Sequence, residues 1–446
     1  MRSSPLPVSP RLRSAAAAAL ALMLAAGPAA GRDIFVDQSF GGVGDGSPTN
    51  PFQQIQDGID IAFPGDWVLV ARGTYAENLY LNVVEVNVYA PDGPAETIID
   101  GGDAGPVVTI DEAGESAVIG FTLTGGQSAF GGGVQLLGGL PIVTRCIITG
   151  NHAVAAGGSG GFGGGIYVLQ AQPMITHNLV EGNVADTAGG GMEIAYSTYA
   201  SIAYNTVVGN SALSSQNGFG PGIDLVASAS QIISNNIITS NTTPRNGAGG
   251  LDVYQSSTTI GTNVLFSNTP LNFASTEGAL PPGNLIADPR YVNPAGGNYR
   301  LRVDSPALDS AVAGLTPAVV DLDGNPRPVD GDLNAVAVSD RGAYEQVGTL
   351  ASLTISAASV ISWGAAPTAT SYHVYRGTLS GIRAGDFGAC QDARDPNLAD
   401  TTFNEPDLPP SGSGFTFLAT FSVNGAEASL GKTTAGVARS PGIFCP

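Results

Sequence analysis

Between Cys146 and Asn268 one short phrase occurs five times: an Asn (Cys in the first copy), two mostly apolar residues, a variable residue, a Gly or Ser, and an Asn. After the opening copy, Cys146 to Asn151, it recurs as Asn178 to Asn183, Asn205 to Asn210, Asn236 to Asn241 and Asn263 to Asn268. The closing Asn residues fall at 151, 183, 210, 241 and 268, so the period is 27 to 32 residues. Repeats of that length stack as a solenoid, in which each coil buries its apolar face only against the coils above and below. A second phrase runs in register with the first: a run of Gly followed by an apolar-x-apolar triplet. The triplets are Val134-Gln135-Leu136, Ile166-Tyr167-Val168, Met192-Glu193-Ile194, Ile223-Asp224-Leu225 and Leu251-Asp252-Val253. Alternation with period two predicts a strand whose first and third residues face the core and whose middle residue faces out.

Each coil therefore carries one strand after the glycines and two more flanking the first Asn of the other phrase. Three short strands per coil, with no room for a helix, describe a parallel β-helix. The turn Asn recurs because Asn tolerates left-handed backbone angles and its amide can bond the Asn one coil away. Such a ladder satisfies polar groups that would otherwise be buried unpaired. Cys146 takes the ladder slot of the first copy, which reads as a buried, unreactive thiol.

The charge balance limits the partners. Seventeen Lys and Arg face 37 Asp and Glu, a formal net charge of −20, and Lys432 is the only lysine. So acidic a surface argues against nucleic acid and anionic membranes and leaves neutral glycans, cations and other proteins. The first 31 residues read as a secretory signal peptide: Arg2, Arg11 and Arg13, an apolar stretch from Ala15 to Ala26 too short to span a bilayer, and small residues Ala29-Ala30-Gly31 for cleavage. A retained anchor is the alternative. No later run reaches the length of a transmembrane helix.

Residues 32–102 open the solenoid. Asp33-Ile34-Phe35-Val36-Asp37, a Gly-rich turn, an amphipathic helical stretch from Gln53 to Ala62, and Gly65-Asp66-Trp67-Val68-Leu69-Val70 follow in order. This order resembles the N-terminal cap and first coil of the pectin lyase-like superfamily. The resemblance covers roughly residues 33–290. It implies an all-β, right-handed parallel β-helix over residues 32–290 with an N-terminal capping helix, and it implies no single chemistry, since that scaffold carries lyases, hydrolases, epimerases, tailspikes and adhesins.

Residues 291–346 break the repeat and read as an end cap. The series Asp288-Pro289-Arg290-Tyr291, Gly297-Asn298-Tyr299-Arg300-Leu301, Asp304-Ser305-Pro306-Ala307-Leu308-Asp309, Asp321 to Pro328 and Asp340-Arg341-Gly342-Ala343-Tyr344-Glu345 resembles the choice-of-anchor Q module of bacterial surface proteins. Asp321, Asp323, Asn325, Asp330 and Asp332 also suggest a calcium loop, yet Pro326 stands where an EF-hand needs Gly; acidic capping turns are the favoured reading. Residues 352–446 carry strand-like runs at Val360-Ile361-Ser362-Trp363, Thr370 to Gly377 and Gly414 to Phe421, which resemble a bacterial fibronectin type III β-sandwich. Cys390 and Cys445 share this segment and are expected to pair as a disulfide, as two cysteines in one small exported domain do.

The chemistry-bearing candidates are the outward middle residues of the Gly-preceded strands: Gln135, Tyr167, Glu193, Asp224 and Asp252. Coils stack about 4.8 Å apart, so Glu193, Asp224 and Asp252 stand as a file of like charges. They must share protons, hold a cation such as calcium, or face water; a solvated or cation-bound face is the favoured expectation. Catalysis by Glu193, Asp224 and Asp252 is the alternative. Against it, the coils offer few bases: Arg145, His152, His177 and Arg245, of which Arg145 and His177 belong to a different face. The flanking loops 155–165 and 212–220 read as Gly- and Ser-rich, with few aromatics to stack sugars. The expected function is binding of a polysaccharide or cell-surface component by an exported, extracellular protein with a long flat face. A polysaccharide hydrolase or lyase using the acidic file is the alternative, and a spacer that needs no ligand is a third class.

Overall fold

In the computed structural model the chain divides into two compact units, residues 1–328 with 339–345, and residues 329–338 with 346–446. The structure describes residues 31–346, except 83–84, 113, 215–218, 245–246, 313–319 and 332–335, and beyond them 353–355, 360–363, 371–378, 389–391, 399, 402–404, 415–423 and 426–427. Most of the expected signal peptide therefore lies outside the described residues.

The first unit is a parallel β-helix of three sheets. The first sheet has nine strands, from Asp33–Val36 to Ser257–Gly261, and the second and third have eight each, from Gly73–Ala76 to Val264–Phe266 and from Leu79–Leu81 to Leu271–Ser275. One coil shows the pattern: Met174–Thr176 in the first sheet, Leu179–Glu181 in the second, then Met192–Ala195 in the third. The two strands flanking Asn178 and the strand after the glycines fall where the repeat places them. A fourth, two-residue strand follows the closing Asn of the first three copies, at His152–Ala153, Val184–Ala185 and Ser211–Ala212, and these pair in series with Gln127–Ser128 of the preceding coil; the sequence reading does not anticipate it. Inner residues such as Ile175, Val180, Met192 and Ile194 are fully buried and stack on Ile202, Val207, Ile223 and Leu225 of the next coil. The apolar interior is thus one continuous column.

Two Asn ladders run along this column. In one, the Cys146 N–H donates to Asn178 Oδ1 at 2.9 Å, and the amides of Asn178, Asn205, Asn236, Asn263 and Asn284 bond in series. In the other, Asn151, Asn183, Asn210, Asn241, Asn268 and Asn272 do the same. The left-handed residue of each turn, however, is the one before the Asn: Arg145, His177, Tyr204, Asn235 and Thr262 have φ between 54° and 58°. The Asn supplies the bonds and its neighbour bears the strain, about 1 kcal/mol for a non-Gly residue. A shorter Ser ladder marks the turn after the third sheet, where the N–H groups of Ser197 and Ser228 donate to Ser228 Oγ and Ser256 Oγ.

The helix spans Ile55–Asp60, shorter than the 53–62 stretch expected. Its first N–H groups, of Ile55 and Gln56, donate to the Glu77 carboxylate at 2.8 and 3.0 Å. Ile55 and Ile59 join Ile34, Val36 and Val68 in the core, and Gly58 allows the approach, since a Cβ there would lie 2.9 Å from Val68.

The segment expected to close the end of the solenoid lies instead along its side. Leu322, Ala343 and Tyr344 cover Leu179 and Val208, while Leu301 and Ala307 cover Ile237 and Val264, all of them outward residues of the second sheet. Polar bonds follow the same path: the Ala343 N–H donates to Thr206 Oγ1, the Gly342 N–H to the Asn235 carbonyl, and Arg341 to the Asn263 carbonyl. Arg327 and Glu345 form a fully buried ion pair at 2.7 Å beneath this strap, and the Arg327 guanidinium stacks over Tyr204. The outward apolar residues Leu179, Val208, Ile237 and Val264 of the second sheet are buried because this segment covers them.

In the second unit, Leu353–Ile355, Val360–Trp363 and Thr402–Asn404 form a three-stranded antiparallel sheet. Ala389–Cys390, Ser371–Thr378, Phe415–Val423 and Ala426–Glu427 form a four-stranded one. Three of these strands match the runs read from the sequence. Cys390 is disulfide-bonded; Cys445, its expected partner, lies outside the described residues.

Candidate functional site

The third sheet aligns the outward file as expected: Gln135 pairs with Tyr167, Tyr167 with Glu193, Glu193 with Asp224, and Asp224 with Asp252. The file is not a solvated face. Glu193, Asp224 and Asp252 are 4%, 1% and 7% exposed. The cover is the chain's own loop, folded back by a left-handed Gly just before each strand: Gly131, Gly163, Gly189 and Gly220, with φ of 66°, 69°, 64° and 41°. A Cβ on Gly189 would lie 2.6 Å from Glu193 Cβ, and one on Gly220 equally close to Asp224 Cβ. Only Gly lets the backbone pass this near the carboxyls.

Burial decides their charge. It pushes the Asp224 carboxyl up to about 7, with the Asp252 charge adding to the rise. Glu193 is raised well above the ordinary range, again by burial first and then by Asp224. Tyr167, the next residue along the file, is pushed up to about 12 by burial and by Glu193. Glu193 and Asp224 meet as a buried carboxyl pair, in which a proton on one hydrogen-bonds the other, and the Leu225 N–H supports Asp224. Two carboxyls buried side by side cannot both ionise cheaply, so the pair favours holding a proton between them.

Beside the file lies a cleft of about 660 Å³ lined by Phe130, Phe162, Tyr167, Tyr196, Phe219 and Tyr254 together with Glu193 and Asp224. The loops thus contribute aromatics that their Gly- and Ser-rich composition concealed. Phe130 and Phe162 stack at 6.0 Å with an interplanar angle of 11°, and Phe130 meets Tyr167 at 5.1 Å. Tyr167 forms the floor, whereas Tyr196 and Tyr254, 61% and 43% exposed, stand at the rim. The sequence holds a signal for this wall: Phe130-Gly131, Phe162-Gly163 and Phe219-Gly220 are the same doublet at the same place in three coils. A parallel bridge joins Phe130 to Phe162 and another joins Phe162 to Ala188, the doublet's position in the intervening coil.

Arg145 and His177 lie in the turn between the first and second sheets, away from this cleft. Arg145 stacks over Tyr89, and His177 is buried against Tyr204, with burial holding its imidazole well below its usual range and hence neutral. His152 bonds Asp186 at 2.9 Å. Arg245 lies outside the described residues. Among the described residues no group of three or more His, Cys, Asp or Glu is arranged to hold a metal ion. In the acidic segment, Asp321 accepts the N–H groups of Asn325 and Glu345, and Asp323 forks onto Arg300 at 2.5 and 2.6 Å; these carboxylates serve as capping turns and ion pairs. Asp332 lies outside the described residues. Cys146 is buried and unpaired, its thiol pushed up to about 11 by burial.

The family model described as right handed beta helix region matches residues 100–269, the part of the chain that carries the repeats. The solenoid is accordingly a right-handed one. Among solved structures the chain is similar to the pectate lyase Pel9A, at 12% identity over 72% of this chain and 98% of that one, with a TM-score of 0.36. It is also similar to the pectin methylesterase PemA from Erwinia chrysanthemi, at 9% identity over 58% and 94%, with a TM-score of 0.27. Neither likeness bears on what this chain binds or catalyses. A search of curated proteins returns no match.

Proposed function

We propose that this chain is an exported bacterial β-helix protein that binds polysaccharide in the cleft beside the third sheet. The observation that carries the reading is the aromatic wall over the file: stacked Phe130 and Phe162 with Tyr167, rimmed by Tyr196 and Tyr254. Its volume falls within the range of small-ligand clefts, and its few polar groups converge on one side. Export, surface attachment through the choice-of-anchor-like segment and a fibronectin-like second unit are parts of the same proposal; their support is the leader-like start and the motifs of the sequence. The test is affinity electrophoresis of the purified chain against a panel of soluble polysaccharides, with a Tyr196→Ala, Phe219→Ala double variant beside it. Retardation that the variant loses supports the proposal. Failure of the parent to bind any glycan refutes it.

A second reading has its own observation. An Asp224 carboxyl held near 7 is in the state that a general acid needs at neutral pH. Hydrolysis would release reducing ends, abolished by Asp224→Asn with Asp252→Asn; a parent without turnover leaves the carboxyls as binding groups. Calcium between Asp224 and Asp252 is the counterpart of the proton, and a melting temperature raised by calcium in the parent and not in that variant is its signature.

A further inference from the structure

The aromatic groups of the cleft fall on a line that runs across the coil. Phe162 and Phe219 precede their strands of the third sheet, whereas Tyr196 follows the strand Met192–Ala195 and Tyr254 closes the strand Ala248–Tyr254, and all four line the same cleft. The strand that separates wall from rim is 4 residues long, about 13 Å at the rise of a β-strand. An oligosaccharide reaches from the Phe wall to the Tyr rim, and a single sugar does not. Past the rim the line continues to Tyr199, which lies in the same turn as Tyr196 but outside the cleft and is 45% exposed. Along the solenoid axis the file continues with smaller groups. Ahead of Tyr167 stand Gln135 and Thr109, and beyond them Tyr80, whose hydroxyl donates to Asp111 at 2.8 Å; after Asp252 stands Ala274.

The fold does not need the two turn tyrosines. The place of Tyr196 is taken in other coils by Gln170, Ala227 and Gln255, with φ between 48° and 53°, and that of Tyr199 by Ser230. The N–H groups of Gln170, Tyr196 and Ala227 donate to the carbonyls of Ala195, Val226 and Tyr254, so the turn closes in the same way whichever side chain it carries. Tyr196 and Tyr199 nevertheless hold left-handed angles of 51° and 56°, which disfavour a bulky residue, and extend their rings into water. A ring held there is uncovered in the free protein and gains burial when an apolar face arrives.

We infer that the cleft is the first of two aromatic subsites, and that a polysaccharide chain crosses the coil from the Phe130 and Phe162 wall, over Tyr196, to a second subsite on Tyr199. The inference rests on the polysaccharide reading above and adds the path of the chain and its minimum length. The C–H face of a sugar carries the partial charge that complements the negative face of a ring. Once the cleft holds one stretch of polymer, the next sugars meet Tyr199 at an effective concentration set by the link between them, so affinity rises with chain length until both subsites are filled.

The experiment is isothermal titration of the full chain at pH 7 with disaccharides and hexasaccharides of the cello, xylo, manno and galacturono series. In at least one series the hexasaccharide is expected to bind about tenfold or more tighter than the disaccharide. Tyr199→Ser installs the residue that the next coil holds at this place, and it should weaken that hexasaccharide about threefold or more. Tyr199→Phe should keep the affinity, since the ring makes the contact, and Tyr80→Ala should change nothing. Thermal melts of the variants confirm that the coils are intact. Equal affinity for the two lengths, or a hexasaccharide that binds folded Tyr199→Ser as it binds the parent, would overturn the inference while leaving binding in the cleft in place. A loss in Tyr80→Ala and not in Tyr199→Ser would run the polymer along the axis and overturn it as well. A parent that binds no hexasaccharide removes the inference, and one that also binds no polymer removes the reading beneath it.

Discussion

Replacing Asn236 with Ala isolates the ladder's contribution. Asn236 Oδ1 accepts the Asn205 N–H at 2.9 Å and Asn205 Nδ2 at 3.0 Å. Its own Nδ2 donates to the carbonyls of Ile202 and Ser234 and to Asn263 Oδ1. The losses are unequal. Asn205 Nδ2 keeps the Ile175 and Ala203 carbonyls, and Asn263 Oδ1 keeps the Asn236 N–H. The Asn205 N–H loses its side-chain acceptor in a fully buried turn, at about 1–3 kcal/mol, and the lost amide contacts add about 1 kcal/mol. The expected destabilisation is about 3 kcal/mol. Asn272→Ala is the internal control: Asn272 accepts the same two bonds from Asn268, but at the partly exposed end of the ladder, where water can replace it, so about 1 kcal/mol or less is expected. Urea unfolding followed by far-UV circular dichroism, with slopes compared between variants, reads both values. Equal effects at the two positions, or an Asn236→Ala change below about 0.5 kcal/mol, would refute the claim that buried amide pairing stabilises the coils.

Other outcomes follow from groups already described. With its thiol raised to about 11 and fully buried, Cys146 should not react with an aromatic disulfide reagent at pH 8 until the protein unfolds, as absorbance of the released thiolate will report. Because Asp224 holds a proton in the folded chain that the unfolded chain has already lost, its contribution is fully present below its unfolded value of 3.8 and declines as pH rises through about 7, and Glu193, raised well above its ordinary range, acts in the same direction. The gap between 3.8 and about 7 for Asp224 corresponds to on the order of 4 kcal/mol, so the melting temperature should fall from pH 5 to pH 8 and Asp224→Asn should flatten the decline; a parent curve that rises over that range refutes the assignment. Arg327→Met strips the guanidinium from a fully buried Glu345, which costs about 3–5 kcal/mol, and hydrogen exchange should show residues 339–345 losing protection first.

The repeats were legible because their cause is local. A turn every 27 to 32 residues needs the same Asn amide in each coil, and so the Asn phrase appears in the chain at that spacing. The identity of the strained turn residue was less legible, because Arg145, His177, Tyr204, Asn235 and Thr262 share no side-chain chemistry and only their backbone angle is common. Burial of the carboxyl file depends on a loop returning over its own strand, and period-two alternation records which way a residue points from the sheet and not what lies above it. The Phe-Gly doublets carried that information and fell outside both phrases. The strap along the second sheet was hidden for a different reason: the partners Thr206 and Ala343 lie 137 residues apart, beyond the reach of any periodic pattern.

That strap also bears on how the protein comes apart. A stack of coils held only by nearest neighbours can fray from either end, one coil at a time, and its unfolding is graded. Here one segment touches Leu179, Val208, Ile237 and Val264, which belong to four successive coils. Loss of any one of those coils disturbs the contacts of the others through the shared segment. The last four coils of the second sheet, which carry most of the cleft, are thereby tied into a single cooperative block, whereas the coils before Cys146, one of which supplies Phe130, are held by nearest neighbours.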